Sequence, residues 1–182
     1  MEKGYNRLFW GVFIASFNIR LGIITILPPF LGWIVFFSGL TMLNEKVATY
    51  SFGRAQKFGI GIIIVTLITT ITGGLGGVTV MNSSLLLLLP LIPLLLEIGL
   101  IYYVLEGSKE ALENLGYGEV TVKLEKDKKT YLLFMGLSVL LMIFSMAFGI
   151  LVASYVALAL AIIARVYVLF VFSDLKKSWK DN

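Results

Sequence analysis

Three long apolar blocks dominate the chain, at 5–43, 58–105 and 131–172, with two polar stretches between them. Each block is too long for one membrane crossing. The last has 42 residues, about 63 Å as α-helix, twice the roughly 30 Å hydrocarbon layer of a bilayer. Each block also carries a turn signal near its middle: Leu27-Pro28-Pro29 in the first, Gly73-Gly74-Leu75-Gly76-Gly77 with Asn82-Ser83-Ser84 in the second, and Gly149 to Ser154 in the third. Clustered proline and glycine break helices and favour turns. The pattern predicts an all-α membrane protein, a single transmembrane domain over 1–182. Its six transmembrane helices form three hairpins, near 5–26, 29–44, 58–77, 83–105, 130–149 and 153–173.

The linkers 45–57 and 106–129 join the hairpins. Within the second, 108–115 predicts a short helix stopped by Gly116, and Val120, Val122 and Leu124 alternate as one strand would. The shortest span, 29–44, is expected to reach the interface by extension through Val47 and Tyr50. A re-entrant segment there would instead flip the parity and turn the lysine-rich 123–129 run outward. Trp33, Tyr102, Tyr103, Tyr131, Tyr155 and Trp179 fall near the expected helix ends, where interfacial aromatics belong. Met1-Glu2-Lys3 runs into a long span without a small-residue cleavage pattern, so the first helix is expected to be retained.

Composition narrows the class. Apolar residues make up 58% before any of the 18 glycines is counted and charged residues only 14%, against about 45–50% apolar with glycine and about 25% charged in soluble domains. Mean hydropathy is +0.93. These values exclude a soluble enzyme, a nucleic-acid-binding domain and a disordered chain. The net charge of +4 reads first as a topology signal: none of the 15 lysines and arginines falls in a tight turn, and thirteen lie on the side of the termini and linkers. By the positive-inside rule that side, with both termini, is cytoplasmic. The lipid bilayer is thus the expected partner, and nucleic acid is not one.

The absence of cysteine and histidine removes disulfides, thiolate nucleophiles, thiolate and imidazole metal ligands and the commonest proton shuttle. No metal or cofactor is expected. Within the helices the ionisable residues reduce to Arg20, Glu97 and Arg165, and a charge at membrane depth costs at least about 2.5–3.5 kcal/mol. Glu97 lies nine residues before Glu106 and Arg165 nine before Asp174, so both sit about 13 Å inside the cytoplasmic boundary and can pair. The pair reads either as a structural ion pair that fixes helix register or as a substrate, ion or proton site. Pro90 and Pro93 precede Glu97 on its face, and Pro93 deprives the Leu89 carbonyl of its amide, a kink that can border a cavity.

Small residues mark the expected packing faces. Ala153, Ala157 and Ala161 recur every fourth position ahead of Arg165, which turns that arginine toward protein. Gly4, Gly11, Ala15, Asn18 and Gly22 form one stripe on the first helix, with Asn18 a supporting amide between helices. Arg20 lies near the outer end and is expected to snorkel. Thr66, Thr69, Thr70, Ser138 and Ser145 close gaps between helices. Lys123, Lys126, Lys128 and Lys129 could meet anionic lipid headgroups, although the topology signal alone accounts for them.

At Phe17-Asn18-Ile19 through Leu27-Pro28-Pro29-Phe30-Leu31-Gly32-Trp33 and on to Gly39-Leu40, about 24 residues, the sequence resembles a group of small integral membrane proteins of Gram-positive bacteria that have no assigned activity. Where members often place Asp after the Leu-Pro, this chain has Pro29, so no role for that acid carries over. The resemblance implies a bacterial cytoplasmic membrane and a multi-pass chain. The six-helix layout is also similar to that of substrate-binding subunits of vitamin uptake transporters, with Gly11 and Ala15 a partial substitute for their first-helix alanine motif. The function expected is a non-enzymatic membrane subunit or accessory protein packing against partner subunits or a second copy of itself. The alternative is a small-solute or ion transporter, or its substrate-binding subunit, with Glu97 as the coupling or binding carboxylate.

Overall fold

A computed structural model describes residues 1–17, 20–21, 24–25, 28–74 and 91–179, with backbone alone at 20–21, 24–25 and 72–74. Its helices are α1 (Glu2–Ser16), α2 (Pro29–Lys46), α3 (Tyr50–Gly74), α4 (Leu91–Glu113), α5 (Gly118–Phe148) and α6 (Leu151–Ser178). Between α1 and α2 lies a minimal antiparallel hairpin, β1 (Arg20–Leu21) with β2 (Ile24–Thr25), pairing Arg20 with Thr25 and Leu21 with Ile24. Each helix packs on its neighbours in sequence, and α6 returns to α1, so the six close a ring built from three hairpins.

Local chemistry sets the turns. Pro28 caps α2 in extended geometry and Pro29 occupies its first position, where a missing amide costs nothing. Gly116 and Gly149 adopt positive φ, at 81° and 67°, and end the α4 and α5 segments as a left-handed glycine does. Leu112 O accepts the Leu115 and Tyr117 amides at the α4–α5 corner, which makes it a tight turn and not a linker.

Several boundaries differ from the sequence reading. The first helix stops at Ser16 rather than 26, with Phe17 as its cap, and Arg20–Leu21 pairs with Ile24–Thr25 in extended backbone, which the β-branched Ile24 and Thr25 favour. α2 ends at Lys46, with Val47 as its cap, and a new helix starts at Tyr50, so the extension through Val47 and Tyr50 does not occur. α3 begins eight residues before the expected 58, since Ser51, Phe52, Ala55, Gly59, Ile62 and Thr66 form one buried helical stripe. The 120–124 strand is helix: Thr121, Leu124, Lys128 and Tyr131 are buried at helical spacing, and three alternating valines and leucines are too few to set a period. Trp33 (4% exposed) and Tyr131 (0%) are core residues, not interfacial ones, whereas Tyr155 is 70% exposed.

Among the described residues four helices are long and apolar enough to cross a membrane: Tyr50–Ile71, Leu91–Glu113, Gly118–Phe148 and Leu151–Ser178. Their outward residues, among them Ile64, Leu95, Leu140, Phe148, Leu158 and Phe170, are exposed aliphatics and aromatics, as a lipid-facing surface requires. The packed core lies in the half of the bundle that carries the termini, where Tyr5, Leu43, Phe52, Leu105, Leu112, Leu124 and Phe172 meet.

α1 and α2 are shorter, and their contact is the tightest. A Cβ at Gly11 would lie 2.6 Å from the Phe36 backbone, and one at Gly32 would overlap Ala15 and sit 2.7 Å from Gly11 O. Backbone faces backbone, so no side chain can move aside. Gly32→Ala should therefore lower stability in detergent by about 1–3 kcal/mol. Gly136→Ala, where no atom lies within 4 Å, should be neutral or gain up to about 1 kcal/mol. Equal melting of the two variants would refute this packing.

Candidate functional site

The core stripe of α4 runs Glu97, Leu100, Ile101, Val104, Leu105 and Ser108, all buried at helical spacing, so a carboxylate occupies a position otherwise given to aliphatic side chains. α6 supplies its partner. Ala157, Ala161 and Ala164 are buried and let α6 approach α5 closely, and Ser138 Oγ donates to Ala157 O at 2.7 Å across that contact. One turn beyond Ala161, Arg165 reaches into the bundle. Its Nε donates to Glu97 Oε1 at 2.8 Å and its Nη2 to Oε2 at 2.6 Å. The contact is a bidentate fork, the strongest geometry open to this pair.

Burial is unequal within it: the Glu97 side chain is 3% exposed and that of Arg165 24%. Both carboxylate oxygens are engaged by one guanidinium, whereas three guanidinium N–H groups remain. The arginine borders a cavity of about 120 Å³, lined also by Ser16, Phe17, Ile162, Val166 and Leu169. Ser16 Oγ is buried without a hydrogen-bond partner among the described residues, so the described lining carries unused donors at one end and apolar walls elsewhere. Glu97 does not line it. Tyr131 on α5 is fully buried within electrostatic reach of both charges, and its hydroxyl has no hydrogen-bond partner among the described residues.

A second polar cluster closes the terminus-bearing end. Lys128, 7% exposed, donates to Glu106 and, at 2.7 Å, to Glu125, with its ammonium 5.3 Å from the Tyr102 ring. Lys109 adds a contact to Glu125 at 3.3 Å. Glu125 and Lys128 lie before the apolar block that starts at 131, and Glu106 and Lys109 lie after the one that ends at 105, so the cluster is outside both apolar blocks. Hydrogen bonds from Lys128 and then Lys109 hold the Glu125 carboxyl well below its usual range, at about 2.

The remaining sequence candidates fall as follows. Gly11 and Ala15 lie in the α1–α2 contact, and Ala153 is half-buried at the start of α6. Asn18 and Pro90 lie outside the described residues, as does the Arg20 side chain; Pro93 is the third described residue of α4. The Thr66 and Thr70 hydroxyls donate to carbonyls of their own helix, so they bridge no helices. Lys123 pairs with Asp174 at 2.7 Å and Lys129 with Glu125 at 3.7 Å. The lysine run is therefore largely engaged within the chain, and Lys128, buried between two carboxylates, is not available to a headgroup.

Two features escaped the sequence reading. Tyr5 donates to Ser108 Oγ at 2.9 Å, tying the start of α1 to α4. Residues 103 positions apart leave no local signal. Lys128 looked like one lysine among several, and what distinguishes it is its place in the Thr121, Leu124, Tyr131 stripe. Among the described residues no group of three acidic side chains is placed to hold a metal. The chain matches no family profile, no curated protein and no solved structure.

Removing the Lys128 charge leaves Glu106 and Glu125 facing each other, so Lys128→Gln should cost about 1–3 kcal/mol, while exposed Lys126→Gln should stay within about 0.5 kcal/mol. Glu125 has a depressed pKa. Its contribution is complete above its ordinary 4.5 and lost as pH falls toward about 2. The gap between parent and Lys128→Gln, read from thermal melts in detergent, should accordingly close over that acid window.

Proposed function

We propose that this chain is a non-enzymatic, multi-pass subunit of a bacterial cytoplasmic membrane, with six spans and both termini inside. In this reading it packs against partner membrane helices, and the Glu97–Arg165 pair holds its core in register. The observation that carries it is the bidentate fork on a carboxylate only 3% exposed. A carboxylate with both oxygens engaged by one arginine is neither a free base nor an open ion ligand. The charge distribution supports the orientation, since Lys109, Lys123, Lys126, Lys128, Lys129, Lys176 and Lys177 gather at the end of the bundle that holds the termini.

A second reading, a small-solute transporter, draws on the cavity of about 120 Å³ at Arg165 and the unpartnered Ser16 hydroxyl. A solute there would accept hydrogen bonds from the arginine, and Glu97 would act on it through that arginine.

Orientation and partnership are both measurable. With no native cysteine, Ile150→Cys in the α5–α6 turn should react with an impermeant thiol reagent on intact cells, and Lys126→Cys only after permeabilisation. Purification in mild detergent should recover a second membrane polypeptide, or a second copy, in fixed ratio. Labelling of Lys126→Cys on intact cells would reverse the topology. A monodisperse single chain that accumulates a radiolabelled solute in proteoliposomes would replace the subunit reading with the transporter.

A further inference from the structure

The exposed face of α3 changes character once along its length. Tyr50, Arg54 and Lys57 are exposed at its start, and Ile60, Ile64, Leu67, Ile68 and Ile71 continue the same stripe at steps of three and four. Aromatic and cationic groups at one end of a membrane-length helix, followed by aliphatics alone, reproduce the order of headgroup and acyl chain in a lipid. From Arg54 to Ile71 the stripe spans about 26 Å, close to the thickness of the hydrocarbon layer.

The polar end is organised. The Arg54 guanidinium lies 4.6 Å from the Tyr50 ring centre and 5.6 Å from that of Tyr103 on α4. It donates to the Tyr103 hydroxyl at 3.0 Å and to the Tyr50 hydroxyl. No carboxylate pairs with Arg54 among the described residues, in contrast to Lys109, Lys123, Lys128, Lys129 and Arg165. Each phenol accepts from the arginine and keeps its own O–H, and neither donates to a described residue. The cluster thus presents two phenolic donors and the remaining guanidinium N–H groups, with Lys57 one turn further on, and none of these finds an acceptor among the described residues.

We infer that Arg54, Tyr50 and Tyr103 form a binding site for the phosphodiester of an anionic phospholipid whose acyl chains lie along the Ile60–Ile71 stripe of α3. A phosphodiester offers the oxygens this donor cluster lacks, and arginine binds it through two parallel N–H groups. The aliphatic continuation selects a lipid over free phosphate. The site rests on the membrane-spanning character of α3 and is independent of what the Arg165 cavity does.

The test is lipid retention by the purified full chain, read by native mass spectrometry after exchange into detergent with phosphatidylglycerol, phosphatidylcholine or inorganic phosphate. Phosphatidylglycerol should be retained in preference to phosphatidylcholine and should not be displaced by an equal concentration of inorganic phosphate. Arg54→Gln should lower its retention about ten-fold, the loss of one charge-assisted contact. Tyr50→Phe with Tyr103→Phe, which keeps the charge and removes both O–H groups, should lower it several-fold. Lys126→Gln with Lys129→Gln should leave it within about two-fold. Equal loss in all three variants would mean diffuse attraction and overturn the site, as would retention unchanged in Arg54→Gln or displacement by inorganic phosphate. Because Arg54 is exposed, the variants should elute and melt like the parent, and the tyrosine pair decides the matter if Arg54→Gln does not.

Discussion

A carboxylate and a guanidinium that meet inside an apolar bundle fix more than the two side chains. Glu97 is on α4 and Arg165 on α6, and α5 lies between these helices in the ring. Their fork crosses the interior and is satisfied in one rotation of each helix. Turning either would leave an unpaired charge among aliphatic residues, which costs about 3–5 kcal/mol. The small faces follow from this demand. Ala157, Ala161 and Ala164 bring α6 against α5, and α5 answers with Ser138 and the buried Tyr131.

The two halves of the bundle solve different problems. Near the termini the helices converge on large side chains such as Tyr5, Phe52 and Phe172, and the polar groups above them neutralise one another through Lys128, Glu106 and Glu125. Toward the α5–α6 turn, Phe148, Leu151 and Val152 are exposed and Ser145 satisfies itself on the Ile150 carbonyl at 2.9 Å. Such exposed apolar side chains suit contact with lipid. The α1–α2 hairpin is closed by backbone contact at Gly11 and Gly32, which makes the fit of its two helices depend on shape more than on hydrophobic area.

Block length made the helix pairs legible, with Pro28-Pro29 and Gly149 as turn signals in the first and third, while the 75–84 turn lies outside the described residues; the Glu97–Arg165 meeting was legible because each lies nine residues before a charged residue, Glu106 or Asp174. The finer features of the bundle were not legible. Val120, Val122 and Leu124 alternated by chance inside a helix whose period shows only over Thr121 to Tyr131. Tyr131 was read as interfacial because tyrosines often are, and nothing local says that its ring packs beside a charge pair 34 positions away in sequence. The charge of the lysine run reads as a topology signal that could also meet headgroups, and nothing local shows that Lys128 and Lys123 pair with carboxylates on α4 and α6, while the aromatic clasp on Arg54 joins α3 to α4 and has no signature in either alone.

The central claim is that the Glu97–Arg165 fork is structural. A double-mutant cycle on detergent unfolding, with Glu97→Gln, Arg165→Gln and both together, measures this directly. Each single replacement should cost about 3–5 kcal/mol and the double clearly less than their sum, with a coupling above about 1 kcal/mol. Single variants that melt like the parent, or effects that add to within about 0.5 kcal/mol, would contradict it.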